Sequence, residues 1–308
     1  MRSRAGAGGF TQIYERGEMS GEIGGRTSWR NLHDIDKARV SEARLQAHYA
    51  VQWLARAARA YIPPQPDDGH TSLIWDRVID GLKTQPLKNG ARLSLQIGNL
   101  TLALSDGDGP AGTPSIFLSG RTNAEVRKWL GERLSGLNTG VGDLDTPLPY
   151  EIPAHAIAKG AAYDAIACAD GLAELAAWYS NAEILLGQIQ EHLAARKLAT
   201  SAVCCWPHHF DLAILTTLPK HPADATGYVG IGLSPGDEYY DEPYFYVSVY
   251  PRPDPATLPT LPMFGHWHTH EFMAAVVVAR KIVAARNQEV ETAEFLRCAV
   301  DTALKILM

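Results

Sequence analysis

The sequence predicts an α+β fold, with antiparallel sheets covered by long helices in two similar halves that each run helix, strands, helix. Three observations predict it. Two long stretches carry apolar residues at helical spacing, Val40, Ala43, Ala47, Val51, Leu54 and Ala58, then Leu172, Leu175, Tyr179, Ala182, Leu186, Ile189 and Leu193. Each is the stripe that a helix lying across a sheet buries. Residues 93–97 and 100–104 alternate apolar and polar side chains on either side of Gly98-Asn99, and strands joined by so short a turn must be antiparallel. Residues 228–233 and 244–250 alternate in the same way in the second half.

In chain order, residues 1–30, rich in Gly, Arg and Ser, read as a mobile tail. A helix is expected over 37–60, ended by Pro63-Pro64. Asn89-Gly90 is a second hairpin signal, and Asp106-Gly107-Asp108-Gly109-Pro110 a loop before a strand at 116–118. A helix over 123–134 takes Thr122 as its N-cap with Glu125 completing a capping box, and Gly136 as its stop. The Gly- and Pro-punctuated stretch 138–153 divides a first half, 31–146, from a second, 150–308. There the expected elements are a helix over 170–197, strands over 203–218, 228–233 and 244–250, and helices over 271–285 and 288–307. No residue-level repeat relates the halves, so their likeness is one of plan.

A chain of 308 residues, 46% hydrophobic, can bury a substantial core. Its 28 Lys and Arg against 34 Asp and Glu give a net charge of −6. With no basic surplus to neutralise phosphates, nucleic acid is not an expected partner. The apolar run 272–279 stops at Arg280-Lys281, too short to cross a bilayer, so no membrane partner is expected either. Four cysteines without a C-x-x-C pair, and no apolar leader, fit a reducing, cytoplasmic setting.

Polar and aromatic residues cluster in Asp67-Asp68-Gly69-His70-Thr71, in Cys205-Trp206-Pro207-His208-His209-Phe210-Asp211, in 234–246, and in Gly265-His266-Trp267-His268-Thr269-His270-Glu271. Five of the eleven histidines fall in the second and fourth of these. In extended chain His266, His268 and His270 share one face, and His209 shares another with Asp211. Imidazoles and a carboxylate converging in this way are ligands for a divalent Zn, Mn or Fe ion, so His266, His268, His270 and Asp211 are the candidate metal set. Without a metal, His209, Asp211, Glu242 and His268 are the candidate acid–base groups. Tyr244 and Tyr246 share a strand face opposite Phe245, and on the neighbouring strand the missing side chains of Gly230 and Gly232 leave room for a ligand or another backbone. With His70 the two tyrosines are the candidate ligand-binding residues for a small molecule.

Gly232-Leu233-Ser234-Pro235-Gly236 matches G-x-S-x-G, yet Pro235 has no N–H to give an oxyanion hole. The stretch is expected to be a type II turn. No glycine-rich phosphate loop is present, so a nucleotide cofactor has no support.

At Cys205-Trp206-Pro207-His208-His209-Phe210-Asp211, with Ser234-Pro235-Gly236-Asp237, Glu242-Pro243-Tyr244 and the D-D-x-H-T and G-H-W-H-T stretches, the chain resembles an uncharacterised bacterial family. More distantly, over most of residues 35–250, it resembles a broader group of bacterial domains of unknown function. That group has an F-D-L-A strand, here Phe210 to Ala213, and an E-P-x-x-Y strand, here Glu242 to Tyr246. The resemblance implies no activity. The expectation is therefore an enzyme, metal-dependent or not, with a His/carboxylate pocket in the second half. The rival is a non-catalytic module that holds a small molecule or a partner on its tyrosine face.

Overall fold

The computed structural model describes residues 28–34, 36–88, 90–105, 113–136, 142–218, 227–262 and 265–308. Residues 1–27 of the expected tail, Asn89, the expected loop 106–110 and residues 138–141 lie outside them.

The first half runs α1 (Lys37–Tyr61), β1 (Ile74–Asp76), β2 (Gly81–Lys83), β3 (Arg92–Gln96), β4 (Thr101–Ser105), β5 (Ser115–Phe117) and α2 (Asn123–Ser135). The second runs α3 (Ala169–Ala195), β6 (Cys204–Trp206), β7 (Asp211–Thr217), β8 (Tyr228–Ser234), β9 (Tyr244–Tyr250), β10 (His266–His268), β11 (Ala274–Val278), α4 (Ala279–Val283) and α5 (Gln288–Leu307). Each half is thus helix, antiparallel strands, helix. The first sheet is the meander β1-β2-β3-β4-β5; the second has the order β10-β11-β9-β8-β7-β6, and every pairing is antiparallel. The sheets meet edge to edge at one bridge. Leu73 N–H donates to the Cys205 carbonyl (2.9 Å) and Cys205 N–H to the Leu73 carbonyl (2.8 Å).

The long helices lie on one side of both sheets. α1 packs along α3 and over β3, α3 crosses β7 and β8, and α5 crosses β8 and β9. The α3 stripe, Leu172, Leu175, Tyr179, Ala182, Leu186, Ile189 and Leu193, is buried in full. Each large aliphatic side chain so buried contributes about 1.5–3 kcal/mol. One hydrophobic core runs through both halves, from Leu82, Leu93 and Leu102 of the first sheet to Leu212, Ile231, Phe245 and Val277 of the second. α2 has the expected capping box, with Thr122 and Glu125 exchanging bonds.

Four local expectations are corrected, and two short strands were not foreseen. Residues 203–218 are not one strand but the hairpin β6–β7. Its turn closes because Phe210 adopts a left-handed φ of 56° and returns its N–H to the Trp206 carbonyl (2.7 Å). Residues 271–285 are not a helix. Ala274, Ala275, Val276, Val277 and Val278 form the fully buried β11, as β-branched residues between two neighbouring strands favour, and only 279–283 are helical. The Gly98-Asn99 connection spans four residues, since Gln96 pairs with Thr101, and it buries both Ile97 and Leu100. Residues 28–30 are not part of a free tail. The Asn181 side chain pairs with both the N–H and the carbonyl of Arg30, and Gln288 does the same for Leu32. The strands β1 and β2, three residues each, carry too little alternation to be seen in the sequence.

Candidate functional site

The site is built on the face of the second sheet that turns away from the helices. Pairing aligns Cys204, Ala213, Gly232, Tyr246, Val276 and His266 in one row across six strands. Asp211 stands on this face two residues from Ala213, and Tyr244 two residues from Tyr246.

Tyr246 lies down over Gly232 and reaches across it to β7. A Cβ on Gly232 would sit 2.7 Å from the Tyr246 hydroxyl and 2.8 Å from the Leu212 carbonyl, so this position has to be glycine. The phenol O–H donates to Asp211 Oδ2 at 2.5 Å. Gly230 gives the same room to Ser248 Oγ. The glycine side of β8, expected to admit a ligand, is therefore filled by the protein's own side chains.

Asp211 Oδ1 is buried and has no hydrogen-bond partner. A buried polar atom left so costs about 1–3 kcal/mol. Burial pushes the Asp211 carboxyl above the usual range; the Tyr246 hydrogen bond, the field of His209 and the residue's own backbone N–H oppose this, and the charge of Asp237 adds to it. The same burial raises the Tyr246 phenol well above its ordinary value and the neighbouring Cys204 thiol to about 12. Desolvation favours the protonated form of each member of the pair.

The segment 235–243 folds over this face. Gly236 has the positive φ, 105°, that the expected turn asks of it, but Asp237 N–H goes to the Tyr240 carbonyl (2.8 Å) and not back to Ser234; the Gly236 N–H bonds Ser234 Oγ (3.2 Å), and no helix follows. Asp237 fixes the segment. Its Oδ1 accepts the N–H groups of Tyr239 (2.9 Å) and Tyr240 (3.1 Å), and its Oδ2 accepts the Tyr244 hydroxyl (2.5 Å). Arg44 of α1 donates to the Gly236 carbonyl at 2.6 Å. Desolvation lowers the Arg44 pKa, while Asp237 acts to hold its charge.

At the far edge of the face, the Tyr240 hydroxyl lies 2.8 Å from His266 Nε2 and 3.0 Å from His268 Nδ1. His268 Nε2 donates to the His270 carbonyl (2.6 Å), which leaves Nδ1 as its acceptor. Tyr240 therefore donates to His268 and accepts from His266. Phe272 stacks on His268 at 4.0 Å, and Tyr239 packs edge-on against both.

The remaining expected residues are placed apart from one another. His209 sits in the β6–β7 turn, where its ring is 4.2 Å from that of His208. Glu242 is buried and bonded to the backbone and side chain of Arg280, at the start of α4. His70 is buried, and its Nδ1 accepts the Gln65 N–H (3.1 Å), closing the 3₁₀ turn Gly69–Thr71. The four expected metal ligands are not brought together. β7 and β10 are four strand spacings apart, about 19 Å at about 4.8 Å each. Asp211 therefore cannot share an ion with His266 or His268, and His270 offers His268 its carbonyl. Among the described residues no three His, Cys, Asp or Glu side chains form a metal-holding group. All four cysteines are free thiols, and no described helix is long and apolar enough to cross a membrane.

Sequence reasoning missed Tyr240, Asp237 and Arg44, and also His48 and Gln52 of α1, which both donate to the Pro207 carbonyl at 2.9 Å. Burial holds His48 neutral by lowering its pKa to about 4, and does the same to His208. The available signal was three polar residues, Arg44, His48 and Gln52, spaced by four along one side of α1. A cleft of about 720 Å³ opens elsewhere, between residues 30–39 and α3. Its charged groups are engaged within the protein, His33 with Glu174, Arg39 with Asp170, Arg30 with Asp80, and Asp36 as the N-cap of α1. Comparison with protein-family models, curated proteins and solved structures returns no match to this chain.

Proposed function

We propose that the protein is an acid–base enzyme acting on a small polar molecule at the covered face of the second sheet, with Asp211 and Tyr246 as its proton-handling pair and His209 beside them. The observation that carries this reading is the unpartnered Oδ1 of Asp211. Everything around it, Asp237, Tyr244, Tyr246 and Ser234, is hydrogen-bonded within the protein, and this one atom is not. A protonated carboxyl bonded through Oδ2 to a phenol presents its own proton at Oδ1 to a substrate oxygen. The field of His209 favours the carboxylate once that proton has gone. Glu242 and His268 drop out of the acid–base set, the first clamping α4 and the second belonging to the Tyr240 cluster. A reducing, cytoplasmic setting is part of the reading and is supported by the four free thiols.

The test is a thermal-shift screen of polar metabolites against the wild type, Asp211→Asn and Tyr246→Phe, followed by mass spectrometry of each hit for turnover. A true ligand at about 100 times its Kd stabilises the wild type by about 2.7 kcal/mol. It should lose most of that effect in both variants, and its turnover should vanish in Asp211→Asn. Hits that stabilise all three proteins equally would remove the site. Hits that depend on Asp211 but are never converted would leave a binding module in place of an enzyme.

A further inference from the structure

The edge of the same face holds a second constellation that owes nothing to Asp211. Strand β10 presents His266 and His268, two residues apart and thus on one side of an edge strand. Tyr240, brought over by the Asp237-anchored segment, sets its phenol oxygen between the two imidazoles. Two ring nitrogens and one phenol oxygen already sit at contact distance. The outer nitrogen of His268 is fixed by a backbone carbonyl, the arrangement that orients a metal-ligating imidazole. Arg280, the cation whose field reaches His266, is neutralised by Glu242.

We propose that His266 Nε2, His268 Nδ1 and Tyr240 Oη form a divalent transition-metal site of the tetragonal type that Cu²⁺ and Ni²⁺ adopt. Imidazole with an oxygen donor suits these ions. The three atoms are held together by hydrogen bonds of 2.8 and 3.0 Å, so an ion replaces the two shared protons between donors that are already gathered. Loading moves protons in a defined way. Tyr240 loses its hydroxyl proton to solvent, His266 shifts its proton from Nε2 to the outer Nδ1, and His268 keeps its own on the His270 carbonyl. The net release is a single proton per ion, so affinity rises with pH.

The experiment is a titration of the untagged, chelator-stripped full-length protein with Cu²⁺, read by calorimetry, by EPR and by the visible phenolate-to-copper charge-transfer band. One ion per chain is expected, with the band present and affinity rising as pH is raised from 6 to 8. His266→Ala/His268→Ala should abolish binding. Tyr240→Phe, which keeps both imidazoles, should weaken it about 10–100-fold and erase the band. Circular dichroism should show both variants folded, since His266 is exposed, His268 and Tyr240 are half-buried, and Tyr240→Phe keeps the ring that packs. Binding that survives the double histidine variant, or a band that persists in Tyr240→Phe, would overturn the site, as would the absence of stoichiometric binding by the wild type.

Discussion

The outer faces of the two sheets are built on opposite terms. In the first sheet, β3 and β4 alternate strictly: Leu93, Leu95, Leu102 and Leu104 are buried under the helices, while Arg92, Ser94, Gln96, Thr101, Ala103 and Ser105 face outward, half exposed. That is an ordinary one-sided antiparallel sheet. In the second sheet part of the outward face is buried, around Asp211, Ser234 and Tyr244, while Leu215, Tyr250 and His266 on the same face stay exposed. Tyr244, Ala274, Val276 and Val278 form a small apolar cluster with Tyr240, Tyr246 and Phe272, and Asp211, Ser234 and Asp237 are hydrogen-bonded or enclosed within it. A face that solvent could have covered at no cost has been closed with phenols and carboxylates. Burial there raises the Asp211 and Tyr246 pKa values and leaves one carboxyl oxygen without a partner. The difference sets the covered part of the second sheet's outer face, around Asp211 and Tyr244, apart from every outward position of β3 and β4.

The comparison can be broken at several points, in decreasing order of effect. Gly232→Ala drives a methyl group into the Tyr246 phenol and the Leu212 carbonyl, and backbone cannot yield as a side chain tip can. It should cost about 1–3 kcal/mol, visible as a lowered Tm and a displaced Tyr246 ring. An unchanged Tm would mean that Tyr246 does not lie where the covered face requires it. Asp211→Asn tests the electrostatics. The native carboxyl titrates above its unfolded value, so the folded state binds more protons and wild-type stability falls as pH rises from about 4 through the raised pKa. Urea denaturation should therefore show Asp211→Asn gaining on the wild type as pH rises from 4 to 7. A difference independent of pH would mean that the carboxyl is not desolvated. Ser94→Thr on the outer face of the first sheet is the reference, and its stability should change by no more than about 0.5 kcal/mol.

Much of the fold was legible because periodicity reports burial. The α1 and α3 stripes, the alternation of β3, β4 and β9, and the Thr122-Glu125 box all appear in place. What was not legible had a physical reason. β11 is buried on both faces, so its apolar run carries no period to separate strand from helix. The β6–β7 turn depends on a positive φ at Phe210, a residue with no propensity for it, held by local bonds to the Trp206 carbonyl and by the contacts of the Pro207 and Phe210 carbonyls with distant groups. Residue types at the site were recognisable, and Asp211, Tyr244, Tyr246, His266 and His268 all stand on one face. Their grouping was not, since it depends on strand order. β11 inserts between β9 and β10 and carries the histidines four strands away from Asp211. Tyr240 and Asp237 lie in an aperiodic segment whose shape comes from side-chain bonds, to which hydrophobic patterning is blind.

The single bridge between Leu73 and Cys205 has a mechanical consequence. Inside the second sheet, neighbouring β7, β8 and β9 share six or seven residue pairs, whereas the seam between the sheets consists of one. A force drawing the halves apart in the plane of the strands would therefore be carried by the layer behind them, where α1 lies along α3 and sends Arg44, His48 and Gln52 to the other half's loops. The helices act as the splint and the strands as the two boards. Any tilt of one board against the other would be felt first at the Pro207 and Gly236 carbonyls, the points where α1 grips the rim of the covered face.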